Sequence, residues 1–138
     1  RPSRNGREFV DRLHAVATRL LRGIEWRFEA GAAIRLPSLD VQRHLLLALK
    51  EMLHNVRRHA AANTVMVSLR ETDGELALTV RDDGVGLPPD LVEGNGLTGL
   101  ALRARQLNGR VEKESAPGHG TRVTLVIPLP PGRIFRQD

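Results

Sequence analysis

Apolar and polar positions recur along this chain with two different periods, and each change of period marks an element. Over residues 8–22, Phe9, Leu13, Val16, Leu20 and Leu21 share one helical face, and Gly23 ends the predicted helix. Ile24-Glu25-Trp26-Arg27-Phe28-Glu29 then alternates as a strand does. Residues 31–37 read as a connection with a short extended piece at 33–36. A second helix is expected from Asp40, its N-cap after Pro37-Ser38, to about Ala60. Its apolar stripe is Leu45, Leu46, Leu49, Met52, Leu53, Val56 and Ala60.

Val65, Val67 and Leu69 alternate with polar neighbours over residues 64–71, and Asp73-Gly74 is a two-residue hairpin turn into a strand at 76–80. Residues 87–95 carry two prolines and two acids and read as a loop. A third helix is predicted over 99–107, stopped by Asn108-Gly109. Two strands, 110–115 and 121–128, are joined by Ala116-Pro117-Gly118-His119-Gly120. The sum is an α/β two-layer sandwich, a mixed and mainly antiparallel sheet with three helices on one face. Residues 1–130 are expected to form one domain and 131–138 a frayed tail.

Composition narrows the class. With 41% hydrophobic and 27% charged residues the 138-residue chain has an ordinary globular balance. No apolar run approaches the roughly 20 residues of a membrane span, and no signal sequence opens the chain. It begins at Arg1 rather than Met, so a segment of a longer protein is expected, and a membrane anchor of the parent would lie outside it. There is no cysteine, which excludes disulfides and thiolate metal sites, and a cytoplasmic location is the default. The net charge of +5 raises the question of nucleic acid, but the arginines are scattered and aromatics are 3%. Stacking platforms for bases are therefore scarce, and no nucleic-acid partner is expected.

Four short motifs carry the candidate chemistry. Glu51 and Asn55 stand four residues apart on the second helix, with His59 a further four on. Such a stripe suits a solvated helical face, or a carboxamide oxygen for Mg²⁺ beside a carboxylate that orients or deprotonates an attacking group. Mg²⁺ takes one or two protein oxygens when phosphates supply the rest. Arg58 and His59 lie within a turn of Asn55 and can face phosphate oxygens. Asp82-Asp83-Gly84-Val85-Gly86 follows an apolar strand; an aspartate fixed there can accept from the exocyclic amine of adenine, and the glycines let the backbone approach a flat base. A plain turn is the rival reading. Gly94-Asn95-Gly96-Leu97-Thr98-Gly99 opens the third helix, where unpaired N–H groups favour phosphate. It has neither the strand before it that a dinucleotide fingerprint needs nor the Gly-Lys-Ser/Thr of a P-loop. Gly118-His119-Gly120-Thr121 is a turn whose Thr121 hydroxyl can reach the base. No Gly-x-Ser-x-Gly elbow and no His-x-x-x-His or His-Glu-x-x-His pattern is present.

In this order the four motifs resemble the catalytic and ATP-binding domain of sensor histidine kinases, within the wider GHKL group that includes DNA gyrase and MutL. The likeness runs from the first helix to Pro128. It implies the Bergerat fold, ATP and Mg²⁺ as cofactors, Asn55 on the metal and Glu51 at the reacting phosphate. Asp82, Gly84 and Gly86 match the adenine-binding box. Gly94, Gly96, Leu97, Gly99 and Leu100 match the second glycine box, and Gly118, Gly120 and Thr121 the third.

Only nine residues, 87–95, lie between Gly86 and Gly96. That short lid, Asn-Val-x-x-His-Ala and Gly-Leu-x-Gly-Leu resemble kinases paired with NarL-type response regulators. Asn108 stands where that subfamily has a glycine. The resemblance implies a phosphoacceptor histidine on a separate dimerisation domain, a homodimeric parent, and little turnover by this chain alone. His14 has only one helix around it and Ala15 after it, and reads as a helix-face histidine. The rivals are an anti-sigma-factor-type serine kinase and a non-catalytic nucleotide-sensing module.

Overall fold

A computed structural model describes residues 4–31, 34–86 and 98–130. Helix α1 (Arg4–Leu20) lays Phe9, Leu13, Val16 and Ala17 into the core. It starts four residues before the predicted Glu8, because polar residues extend a helix without leaving an apolar signature. It gives way to a turn at Leu21, which still donates to the Ala17 carbonyl at 2.9 Å, and Gly23 turns the chain with φ 82°. Strand β1 (Glu25–Ala30) leads to a connection that contains no strand at 34–36, while Ala33 lies outside the described residues. The connection is tied down instead by Arg35, whose backbone N and Nε donate to the two Glu71 oxygens at 2.7 and 2.8 Å.

Helix α2 (Leu39–Asn55) is capped by Ser38, not by Asp40. The Ser38 hydroxyl accepts from the Val41 amide at 3.2 Å, whereas Asp40 lies inside the first turn and pairs with Arg43 at 2.7 Å. The regular α-helix also stops short of Ala60. From Val56 to Ala60 the backbone widens into a π turn, closed by Ala61 in the left-handed region at φ 49°. The α-helical spacing that linked Glu51, Asn55 and His59 in the sequence therefore holds for the first two only.

Strands β2 (Thr64–Thr72) and β3 (Glu75–Asp82) form the expected hairpin. Asp73 and Gly74 both have positive φ, 53° and 78°, the geometry of a type I′ turn. Helix α3 (Thr98–Gln106), β4 (Arg110–Ser115) and β5 (Thr121–Pro128) are the remaining elements of the described residues. The five strands run in the order β1-β2-β3-β5-β4, with β1 parallel to β2 and every other pair antiparallel. The parallel pair is possible because α2 serves as the long crossover between β1 and β2.

Leu45, Ala48, Leu49, Met52 and Leu53 of α2 pack on Val65, Val67, Leu69, Leu76, Leu78, Val80, Val123, Leu125 and Ile127 of the sheet. Each large side chain so buried contributes about 1.5–3 kcal/mol. His14 of α1 sits against Trp26 of β1 with ring centroids 4.9 Å apart, a packing role. Asn108 adopts φ 61° where α3 ends, and the Gly109 amide returns to the Ala104 carbonyl at 2.8 Å. Asparagine tolerates that conformation better than other residues with a side chain, so it serves where a glycine would be expected.

Candidate functional site

Asp82 is the last residue of β3, and its pairing with Thr121 at the start of β5 places the two side by side. Both are buried. The Gly84 amide donates to Asp82 Oδ1 at 2.8 Å. Burial raises the Asp82 pKa above its ordinary value; the Gly84 amide opposes this, the charge of Asp83 adds to it, and the Thr121 backbone opposes it. The structure thus keeps a carboxylate where solvation is poor, which makes it a strong acceptor for an incoming N–H.

The adjacent Asp83 does a different job. Its Oδ1 accepts from the amides of Asn63 and Thr64, both at 2.9 Å, and pins the entry of β2 to the exit of β3. These bonds hold its pKa below the ordinary value.

Two glycine turns dock on one another beside Asp82. The Gly118 amide donates to the Val85 carbonyl at 3.1 Å. At Gly86, with φ 90°, a Cβ would stand 2.7 Å from the Ala116 carbonyl oxygen, so only glycine fits. The Thr121 hydroxyl is 3.0 Å from Ser115 Oγ, which fixes its direction.

Asn55, at the C-terminal end of α2, joins Asp82 and Thr121 in lining one small cavity with Met52, Val56, Val80 and Val123. Its volume is about 10 Å³, close to the room one water needs. On the outer side of Asp82 a groove of about 350 Å³ runs between Arg81, His119 and Arg122.

Glu51 lies one turn before Asn55, as the spacing requires, but it is not among the residues lining the small cavity. Its carboxylate Oε1 accepts from Arg103 Nη2 of α3 at 2.8 Å. Gly99 sits beside it, where an added Cβ would be 3.5 Å from Oε2. Arg58 is exposed and makes no hydrogen bond or ion pair with the described residues, while its neighbour Arg57 donates to the Arg22 carbonyl at 2.8 Å. Leu100 is buried in the core. The side chain of His59 and all of Gly94, Gly96 and Leu97 lie outside what the structure describes.

Three side chains next to the site escape a motif reading: Ser115, Arg103 and His44. Arg103 had a readable signal, since it stands four residues after Gly99 and so shares its helical face. Ser115 and His44 had none, for their roles depend on cross-strand and interhelical neighbours.

Among the described residues no group of three or more His, Asp or Glu side chains is arranged to hold a metal. The Asn55 carboxamide is an oxygen donor of the kind a hard cation takes when phosphates supply its other ligands.

The profile described as "Histidine kinase-, DNA gyrase B-, and HSP90-like ATPase" matches residues 40–131. An uncharacterized sensor-like histidine kinase of Chloroflexus aurantiacus is 36% identical over 104 residues, which cover 70% of this chain and 17% of that protein. The signal transduction histidine-protein kinase/phosphatase UhpB of Salmonella typhimurium is 34% identical over 106 residues, 76% of this chain and 20% of that protein. The chain therefore spans about a fifth or less of these relatives. Among solved structures, the blue-light activated histidine kinase of Erythrobacter litoralis superposes with a TM-score of 0.72 at 26% identity, over 86% of this chain and 40% of that one. The ATP-binding domain of PrrB from Mycobacterium tuberculosis superposes with a TM-score of 0.71 at 23% identity, over 89% and 93% of the two chains, and shares the fold.

Proposed function

Because the chain belongs to the family of histidine kinase-, DNA gyrase B- and HSP90-like ATPases, we propose that it is the catalytic module of a sensor histidine kinase. It binds Mg·ATP and donates the γ-phosphoryl group to a histidine on a separate dimerisation domain. The observation that carries this reading is the buried Asp82 carboxylate, held by the Gly84 amide and lining one cavity with Asn55 and Thr121. A desolvated acceptor at a strand end, flanked by glycine turns, recognises the exocyclic amine of a purine.

Each residue has a role in that scheme. Asp82 selects adenine, with Thr121 beside it and Gly84, Gly86 and Gly120 allowing the backbone to come close. Asn55 supplies the protein oxygen to Mg²⁺, which would neutralise phosphate charge when bound. Arg58 and His59 face phosphate oxygens, and the segment Gly94, Gly96, Leu97, Gly99 and Leu100 offers backbone amides at the start of α3. Glu51 orients the incoming imidazole or takes its proton. Phosphoryl transfer of this kind depends on positioning and charge neutralisation more than on covalent chemistry.

A homodimeric parent and a response regulator of the NarL type belong to the same proposal, supported by the short interval at 87–95 and by the sensor kinases among the relatives. No helix of the described residues is long and apolar enough to cross a membrane; a cytoplasmic location is part of the proposal. The anti-sigma-factor-type reading is not favoured, since the relatives named are sensor histidine kinases.

Titration calorimetry with Mg·ADP tests the reading. The wild-type chain is expected to bind and Asp82→Ala to lose at least tenfold in affinity, about 1.4 kcal/mol. Equal binding by the two proteins would overturn the adenine assignment.

A further inference from the structure

We infer that Arg103 is a positioning residue that fixes the Glu51 carboxylate for phosphoryl transfer; the inference rests on the role proposed for Glu51. Arg103 reaches from α3 into the seam with α2. Its Nη2 donates to Glu51 Oε1 at 2.8 Å, and its Nη1 lies 3.1 Å from His44 Nδ1. A guanidinium has only donors, so Nδ1 must be the acceptor, which leaves the His44 proton on Nε2. That nitrogen faces Asp40 Oδ2 at 3.7 Å. His44 and Glu51, on one edge of α2, thus meet a single arginine, with Asp40 behind His44.

Two features separate this arrangement from ordinary packing. First, Arg103 Nε is buried and has no hydrogen-bond partner among the described residues. The Arg103 and Glu51 side chains retain only 20% and 36% of their exposure. An apolar side chain would fill the seam without desolvating a donor, so stability alone is a poor reason for arginine here. Second, the ion pair is monodentate. Oε1 is engaged, whereas Oε2 lies on the Gly99 side and accepts no hydrogen bond from the described residues. The carboxylate is held in one orientation with its second oxygen left to accept a proton or orient an imidazole. Fixing a reacting group in this way is worth orders of magnitude in rate, because a misplacement of about 1 Å costs about 100-fold.

The test follows phosphoryl transfer from Mg·ATP to a histidine-bearing acceptor domain supplied in trans, with Mg·ADP affinity measured alongside. Arg103→Ala is expected to lower the rate constant at saturating ATP about 10- to 100-fold while the ADP dissociation constant moves less than about twofold. Arg103→Lys restores part of the rate, since an ammonium keeps the charge but not the fork. In a Glu51→Gln background Arg103→Ala has no further effect, because its action passes through Glu51. Independently of activity, side-chain NMR relaxation of ¹³C-labelled glutamate shows Glu51 gaining mobility in Arg103→Ala, with Arg103→Lys in between. Unchanged Glu51 mobility, additive losses in the double variant, or a loss confined to ADP affinity would each overturn the inference. Wild-type transfer by Glu51→Gln would instead remove the role of Glu51 itself, and absent ADP binding would remove the nucleotide site.

Discussion

Gly120 lies so close to Asp82 that a Cβ on it would stand 2.2 Å from the Asp82 carbonyl oxygen, and its φ is 77°. The close approach of β5 to β3 at this point brings Thr121 alongside the Asp82 side chain. Gly120→Ala must push the strands apart and is expected to cost on the order of 3 kcal/mol, with loss of Mg·ADP binding. Gly118 shares the positive φ but has open space around it, so Gly118→Ala should cost only about 1 kcal/mol. Urea unfolding and calorimetry compare the two.

Asp82 sets a pH dependence. In the proposed nucleotide site an ionised carboxylate accepts from the adenine amine, and burial raises the Asp82 pKa above the ordinary 3.8. Mg·ADP affinity is therefore expected to fall with falling pH at values above 3.8, and the Asp82→Asn variant should lack this acid limb. Stability has the opposite sign. The advantage of the buried neutral acid is complete below 3.8 and is lost as pH rises through the raised folded-state value. Thermal melting should find Asp82→Asn ahead of wild type near neutrality, with the gap closing toward acid.

Asp83 separates structure from binding. Its bonds to the Asn63 and Thr64 amides lower its pKa, so their stabilisation is present above 3.8 and disappears as pH falls through the lowered value. Asp83→Ala should lower the melting temperature at neutral pH and leave adenine selectivity intact, while Asp82→Ala does the reverse. Equal effects of the two variants on ADP affinity would contradict this division.

Helix α2 gives a test away from the site. Ser38→Ala removes the hydroxyl that accepts from Val41 and is expected to cost about 1 kcal/mol of unfolding free energy. Asp40→Ala removes an exposed i,i+3 pair and should cost about 0.5 kcal/mol or less. Denaturant midpoints at equal slope decide between them.

The period of the apolar residues was enough to place the three α-helices and five strands of the described residues, because a core needs one continuous apolar face from each element. Boundaries were less legible. Arg4 to Arg7 extend α1 with no apolar cue, and Ser38 could be told from Asp40 as the cap only by the bond its hydroxyl makes. The widening at Val56–Ala60 was hidden for a similar reason: residues 51–60 keep helical spacing on paper whether or not a turn expands.

The sequence by itself determined the order of the elements, the glycine turns and the candidate groups for the chemistry. Local propensity and burial act on neighbours in the chain, and these features are local. Only the tertiary structure decided that β1 runs parallel to β2, that Asp82 meets Thr121 while Asp83 ties two strand ends, and that Glu51 is held by Arg103. Those relationships join residues 39 to 52 positions apart or cross between strands. Their energies depend on distance and desolvation, which exist only once the sheet has closed against the helices.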